Sequence, residues 1–309
     1  MPEPVVSIVV VTYNSAAHLE AFAASVADAA RDIPYELVVA DNASTDGSVD
    51  LIRALVPDAI VVQCDENRGY AAGLNAGIAA ARGSEAVLVC NPDVRLGGGA
   101  VPQLLGALTR TGAGVSAPRI TNESGALMYS LRRDQSVRRV LGEAVIGGTR
   151  ACRFANWSQI VGDEAAYRYP HTVDWASGAV LMLSRACLEA VAPWDESFFM
   201  YSEEVDFQLR AREHGFQVWY VPDAVALHTG GDLHASGWLW AMQMRNKVRL
   251  FRRRHNPLHT AVYRVSWMFY EAIRAPVGNG IHRQGLRALV GRLEAPRTPV
   301  PPSVESESS

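Results

Sequence analysis

The chain has only four cysteines in 309 residues, Cys64, Cys90, Cys152 and Cys187, and no two of them form a C-x-x-C pair. That spacing argues against a disulfide framework or a zinc site and fits the reduced thiols of a cytosolic protein. Long apolar runs are also missing. No stretch approaches the roughly 18–20 residues needed to cross a bilayer. The N-terminus runs straight into a strand, without a basic and then apolar leader, so no signal peptide is expected. No G-x-G-x-x-G follows the first strand, which argues against a dehydrogenase-type dinucleotide site. No internal repeat is visible. No nucleic-acid motif accompanies the basic charge, so nucleic acid is not an expected partner.

What is present begins with a hydrophobic content of 49%, enough to build one large or two modest domains. The net charge of −3 hides an asymmetry. Residues 1–235 carry 17 basic against 28 acidic side chains, and residues 236–296 carry 11 against 2. The basic segment is a separate electrostatic object that suits an anionic surface. Trp238, Trp240, an apolar row and the cluster Arg252, Arg253 and Arg254 fit a helix lying in an anionic membrane surface. A solvated cationic face is the plainer alternative. Residues 297–309, rich in Pro, Ser and Glu, read as a disordered tail.

Val87-Leu88-Val89-Cys90-Asn91-Pro92-Asp93 organises the rest. The apolar run reads as a buried strand stopped by Asn-Pro, because Pro92 has no backbone donor for the ladder. Asp93 is therefore expected at the rim beyond the strand's carboxyl end, where open α/β sheets bind ligands. Taken alone, such an Asp is a turn residue or a helix cap.

Along the chain, Val5–Thr12, Leu37–Ala40, Ala59–Gln63 and a segment near Val115 read as further strands. The helices between them include one starting at Ser15 and one with the row Tyr70, Leu74 and Ile78, where Gly73 and Gly77 allow close approach. Alternating β and α units of this length predict a parallel sheet with right-handed crossovers. Residues 119–172 show weak periodicity and are expected to be loops over a cleft. Ser202 reads as the N-cap of a helix with an acidic first turn, with Val205 and Leu209 facing the core. Trp238–Arg254 reads as helical, and Leu258, Val262, Val265 and Phe269 continue an amphipathic row up to Pro276.

Five strand-end segments gather at one rim: Thr12-Tyr13-Asn14, Asp41-Asn42, Asn67, Asp93 and His228. Each has a plain reading of its own, such as an Asx turn at Asp41-Asn42, a helix cap at Asn67 or a core histidine at His228. Together they point to a site for a nucleotide and a metal. Asp206 and Arg210, four residues apart, read as a helix salt bridge rather than as catalytic groups.

Six ordered segments resemble glycosyltransferase family 2, in its inverting GT-A form. They are Val10–Asn14, Val39–Ser48, Asn67–Asn75, Asn91-Pro92-Asp93, Phe198–Asp206 and His228. The N-P-D and F-F-M-Y-x-E-x-V-D forms are most similar to the rhamnosyltransferase-like branch that builds bacterial cell-wall and surface glycans. The resemblance implies an α/β fold, a GT-A-type mostly parallel sheet flanked by helices. It implies a nucleotide-sugar-binding catalytic domain over 1–235, while charge and composition set off a basic amphipathic helical extension over 236–296 and the tail over 297–309. Thr12, Tyr13, Asn14, Asp41, Asn67 and Asn91 would face the nucleotide. Asp93 and His228 would hold a divalent cation, Mg2+ or Mn2+. Glu204 would be the catalytic base, and Trp175, Ser177, Gly178 and Glu203 would line the sugar and acceptor side. Two departures from the family pattern stand out: Asn91 replaces the first Asp of a D-x-D motif, and Glu204 stands where many members have Asp.

The chemistry has its own physical basis. A nucleotide diphosphate leaves readily only when its charge is neutralised, which a hard cation on carboxylate oxygen does. A hydroxyl is a weak nucleophile, and a carboxylate in reach can take its proton, a contribution of about 10²–10⁴-fold. The expected function is transfer of a sugar, L-rhamnose from dTDP-rhamnose as the best match, to a glycan or polyprenyl-linked acceptor. The expected location is the inner face of the cell membrane, bound peripherally, and a homo-oligomer is compatible with the sequence. The competing readings are a sugar-nucleotide nucleotidyltransferase and an inactive scaffold of a membrane glycan-assembly complex. The first wants a Gly- and Lys/Arg-rich loop after the first strand, which Tyr13–Ala17 lacks. The second wants an apolar residue at 93 or 204, and both are acidic.

Overall fold

The computed structural model describes residues 3–83, 85–230, 236–276 and 280–291. The expected tail over 297–309, the end of the basic segment from 292 and Gly231 lie outside the described residues. The β-branched run Val6–Thr12 forms β1, which is buried along its whole length. Ile8 and Val10 pack into one apolar layer and Val9 and Val11 into the other, as the alternation of a strand requires.

In chain order β1 is followed by α1 (Ala16–Ala30), β2 (Tyr35–Asp41), α2 (Ser48–Leu55), β3 (Ile60–Gln63), α3 (Tyr70–Ala80), β4 (Ala86–Cys90), β5 (Val94–Leu96), α4 (Ala100–Thr111) and β6 (Val115–Thr121). Then come β7 (Leu131–Arg132), α5 (Val137–Ile146), α6 (Gly148–Ala151), β8 (His171–Val173), β9 (Trp175–Ala176), β10 (Val180–Ser184), α7 (Arg185–Val191), α8 (Glu203–Glu213) and β11 (Val218–His228). The helices α9 (Gly237–Arg252), α10 (Pro257–Arg274) and α11 (Ile281–Val290) follow.

Among the described residues, nine strands make one sheet in the order β3-β2-β1-β4-β10-β6-β11-β5, with β8 added on β11. β3, β2, β1 and β4 are mutually parallel, as are β6 and β11. The sheet is thus mostly parallel, but β10 runs against both β4 and β6. The cause is local. β9 pairs with β7 in a separate two-stranded ribbon, and the chain then enters β10 opposite Cys90, the last residue of β4. All the long parallel strands therefore end at one rim. Gly73 and Gly77 let α3 approach β1 closely: an added Cβ would lie 2.5 Å and 2.6 Å from the Val11 and Val9 side chains.

The region 119–172 holds more than loops. It contains α5, capped by Ser136 through its Oγ and the Arg139 N–H. Val140 of α5 joins Trp240, Met244, Val248, Phe251, Tyr263, Trp267 and Leu289 in one core that ties α5 to the last helices. The expected amphipathic row of α10 faces outward. Tyr263 and Trp267 are its buried anchors, whereas Leu258, Val262, Val265 and Phe269 are 76%, 45%, 61% and 43% exposed.

Candidate active site

The register Thr12↔Asp41 brings the ends of β1 and β2 side by side. Thr12 Oγ1 donates to Asp41 Oδ1 at 2.7 Å, and Ser44 donates to the same carboxylate from its N–H and its hydroxyl. Thr12, Asp41 and Asn42 are almost wholly buried. Asn42 Nδ2 donates to the Gly69 carbonyl, and its Oδ1 is buried without a protein partner. Asn14 takes a left-handed φ of 48° and accepts from the Thr45 N–H on Oδ1, which stitches the two loops together. Tyr13 is half-buried beside it. Asn67 Oδ1 accepts from the Gly69 N–H, an Asx turn at the head of α3. Ser15 does not cap α1; its Oγ exchanges hydrogen bonds with the Tyr13 backbone.

Asn91 N–H donates to the Ala179 carbonyl, and the chain turns through Pro92 into β5. β5 pairs with the end of β11 in the register Val94↔His228. That pairing sets His228 Nε2 3.1 Å from Asp93 Oδ2. Burial raises the Asp93 carboxyl, but the His228 hydrogen bond and its charge outweigh this and hold it below its ordinary value. Among the described residues no group of three or more His, Cys, Asp or Glu side chains could hold a metal. Asp93 and His228 nevertheless offer one hard carboxylate oxygen and one imidazole at a single point on the rim. That donor set fits a divalent cation completed by phosphate oxygens of a bound nucleotide.

Glu203 and Glu204 open α8 immediately after Tyr201 and Ser202, at φ 67° and 81°, two consecutive non-glycine residues in the left-handed region. Such strain persists only where surrounding contacts over-determine it. Ser202 is therefore not a side-chain cap. Its N–H donates to Glu204 Oε2 at 3.0 Å. Glu203 is 4% exposed, and its Oε2 has no partner. Burial first, and then the charge of Glu204, push its carboxyl well above the ordinary value. Burial also raises Glu204, while backbone hydrogen bonds and the charge of Arg132 pull against it. Two adjacent buried carboxylates do not both ionise readily, and Glu204 is the one whose oxygen accepts a backbone N–H.

Gly178 lies against Glu204; an added Cβ would sit 2.9 Å from the Glu204 Cβ. Gln208, one turn along α8, donates to the Ala176 and Glu204 carbonyls and accepts from the Ala176 N–H. Ser177 N–H donates to the Ser130 carbonyl, and Trp175 Nε1 to the Arg133 carbonyl. The segment Trp175–Gly178 is thus fixed to the helix that carries Glu204. Gly69, at φ 94°, leaves no room for a side chain beneath the Phe199 carbonyl, which accepts from the Tyr70 N–H. Asn75 clamps the Trp194 backbone from both sides and also reaches Glu196.

Several residues at this rim escaped the sequence reading. Tyr70, read as part of an apolar row, has a buried hydroxyl without a partner, in the electrostatic range of Asp93, Glu203 and Glu204. His18 lies in the electrostatic range of Asp93. Arg132 stands over the Trp175 ring at 5.8 Å and feels the Glu204 charge. The arginines expected at a membrane divide: Arg252 is exposed, whereas Arg253 and Arg254 pair with acids of earlier elements. Arg253 pairs with Asp195 and Asp206, Arg254 with Asp206 and Glu213, and Arg249 and Arg253 flank the Phe198 ring. Part of the anionic surface that the basic segment meets is therefore the acidic start of α8 itself. Asp206 and Arg210 form the expected i,i+4 pair at 2.8 Å. A 690 Å³ cavity behind α8, lined by Asn75, Trp194, Asp206 and Arg253 among others, includes none of Asp93, Glu204 or His228.

Residues 7–159 match the family model Glycosyl transferase family 2. The N-acetylglucosaminyl-diphospho-decaprenol L-rhamnosyltransferase of Mycobacterium tuberculosis is 33% identical over 235 residues, covering 72% of this chain and 76% of that protein. The chain belongs to glycosyltransferase family 2. It is a glycosyltransferase, similar to a rhamnosyltransferase. The low-salt glycan biosynthesis hexosyltransferase Agl10 of Haloferax volcanii is 27% identical over 226 residues, covering 72% of this chain and 66% of that protein. Two solved structures share the fold. The mannosyltransferase PcManGT from Pyrobaculum calidifontis, in complex with GDP-Man and Mn2+, aligns with a TM-score of 0.57 at 17% identity, over 93% of this chain and 84% of that one. GalNAc-T7 with UDP, GalNAc and Mn2+ aligns at 0.60 and 13%, over 89% and 51%. The fold is accordingly of the GT-A type.

Proposed function

We propose that this enzyme transfers L-rhamnose from dTDP-rhamnose to a hydroxyl of a polyprenyl-linked glycan, with inversion at the anomeric carbon. The observation that carries the reading is the pair Glu203–Glu204 on a strained turn, with Glu204 held by the Ser202 N–H beside Gly178. The sugar and the acceptor class follow the name of the mycobacterial relative, and the thymidine diphosphate carrier follows the resemblance given by the sequence.

Glu204 takes the proton of the acceptor hydroxyl as its oxygen attacks. The new C–O bond forms on one face of the anomeric carbon while the bond to the diphosphate breaks on the other, so one displacement inverts the configuration. Burial and the charge of Glu204 disfavour ionisation of Glu203, which leaves the proton transfer to Glu204. Thr12, Tyr13, Asn14, Asp41, Asn67 and Asn91 shape the rim for the nucleotide, and Trp175, Ser177 and Gly178 floor the acceptor side. Asp93 and His228 would hold a divalent cation, whose charge would offset that of the leaving diphosphate.

No helix among the described residues is long and apolar enough to cross a membrane. The enzyme meets its lipid-linked acceptor peripherally, through the exposed row of α10 and the exposed Leu141, Val145 and Ile146 of α5, the helix packed beside it. The decisive experiment is nucleotide release by the purified chain across uridine, thymidine and guanosine diphospho-sugars, with a short-chain prenyl diphospho-N-acetylglucosamine as acceptor. Release with dTDP-rhamnose that depends on acceptor is expected. Acceptor-dependent release with another donor and none with dTDP-rhamnose overturns the donor assignment.

A further inference from the structure

A groove of 340 Å³ runs between α9 and α11. Its size lies within the roughly 300–1,000 Å³ of small-molecule sites. Trp238, Ala241, Met242 and Ala288 give it apolar walls, and Arg245 and Arg287 give it two cations. No acid is among the described residues that line it. Arg245 Nε donates to the Ala288 carbonyl at 3.4 Å, so this guanidinium reaches from α9 across to the stretch of α11 that carries Arg287. Helical spacing puts Trp238, Met242, Arg245 and Arg249 on one stripe of α9. The same side of α9 meets the turn before Glu203. Arg249 donates to the Ser197 carbonyl, and Asn246 to the Met200 and Tyr201 carbonyls.

The two ends of the groove meet different surroundings. At one end the Trp238 ring stands edge-on to the Phe199 ring, with centroids 6.3 Å apart. The Phe199 carbonyl accepts from the Tyr70 N–H at the head of α3, so this end adjoins the rim that holds the site. At the other end Arg287 and Ala288 are followed within one turn by the exposed Val290. The Leu289 and Val290 carbonyls accept from Arg264, the neighbour of Val265 in the exposed row of α10. The groove therefore joins the outer apolar row to the turn before Glu204, with its two cations between. A prenyl diphospho-sugar has the same order: apolar chain, phosphates, then the sugar hydroxyl. Guanidinium groups match phosphate oxygens in geometry and charge. We propose that this groove binds the diphosphate of the lipid-linked acceptor on Arg245 and Arg287, apart from the donor diphosphate at Asp93 and His228. This rests on the reading of a lipid-linked acceptor given above.

The test uses the full chain with the variants Arg245→Gln, Arg287→Gln and Arg287→Lys, the last of which keeps the charge. Arg287 is exposed, so its replacement spares the core. Calorimetry with a short-chain prenyl diphosphate measures binding without turnover. The wild type is expected to bind it, and each Gln variant to bind about tenfold more weakly, the loss of one charge-assisted contact. Arg287→Lys recovers part of that loss. KM for a short-chain prenyl diphospho-N-acetylglucosamine rises by the same factor, while KM for the donor holds. Equal affinity of the wild type and both Gln variants overturns the groove and leaves the lipid-linked acceptor standing. No binding by the wild type overturns both. A rise in the donor KM instead would assign the arginines to the donor phosphates and overturn the proposal. Sedimentation with anionic vesicles is expected to be unchanged in the Gln variants. Its loss at unchanged prenyl diphosphate affinity would assign the groove to a membrane phospholipid and overturn the proposal as well.

Discussion

Asn246 of α9 donates to the carbonyl of Tyr201 at 3.1 Å, and also to that of Met200 at 2.8 Å. A helix that follows the last strand of the sheet thus braces the left-handed turn that leads into the two glutamates. Removing that side chain takes one donor away from each of two carbonyls of a strained turn. Asn246→Ala is expected to cost about 1–3 kcal/mol of stability and about tenfold to a hundredfold in kcat through misplacement of Glu204. Thermal melts and steady-state kinetics check both. A stability loss with unchanged kcat would reduce Asn246 to a packing residue.

The pH profile carries a second expectation. Burial raises the Glu204 carboxyl above its ordinary value, and the charge of Arg132 opposes that rise. The base works only when ionised, so kcat/KM falls as pH drops through this raised value. Arg132→Gln removes a cation that favours the ionised form, and the acid limb moves to higher pH. A limb that stays in place or moves down means that Arg132 does not act on the base.

The metal expectation follows from the Asp93–His228 contact. Activity is expected to disappear in excess chelator and to return with Mg2+ or Mn2+. Asp93→Ala abolishes it and His228→Ala strongly reduces it. Full turnover in chelator contradicts the assignment.

Membrane contact is expected at α10 rather than at the arginines of α9. Replacing Val262, Val265 and Phe269 together by Gln changes only exposed positions, so the melting temperature holds while sedimentation with anionic vesicles is lost. High salt weakens binding of the wild type less than it would for a purely ionic contact. Unchanged sedimentation of the triple variant excludes this face.

Much of the rim was legible because its motifs are local. A β-branched run stopped by Asn-Pro puts Asp93 beyond a strand whatever the rest of the chain does, and Gly73 and Gly77 announce a close helix–strand contact. What stayed hidden depends on distant partners. α5 shows little periodicity because its buried residues, Val140 and Glu143 among them, pack on α10, more than a hundred residues away. The apolar row of α10 is legible as a row, but the burial of Tyr263 and Trp267 on its other side depends on partners from α5, α9 and α11. Arg253 and Arg254 look free in sequence because Asp195, Asp206 and Glu213 lie about forty to sixty residues earlier. Ser202 has the residue type of a cap, but its left-handed backbone follows from contacts that Asn246 and the Glu204 carboxylate provide.

The most direct test of the central claim is turnover by Glu204→Gln, a change that keeps the side-chain shape and removes its basicity. The account predicts a fall in kcat of at least about 10²-fold with donor binding nearly intact, and a milder effect for Glu203→Gln. Turnover within a few-fold of the wild type, or Glu203→Gln proving the more damaging change, would contradict it.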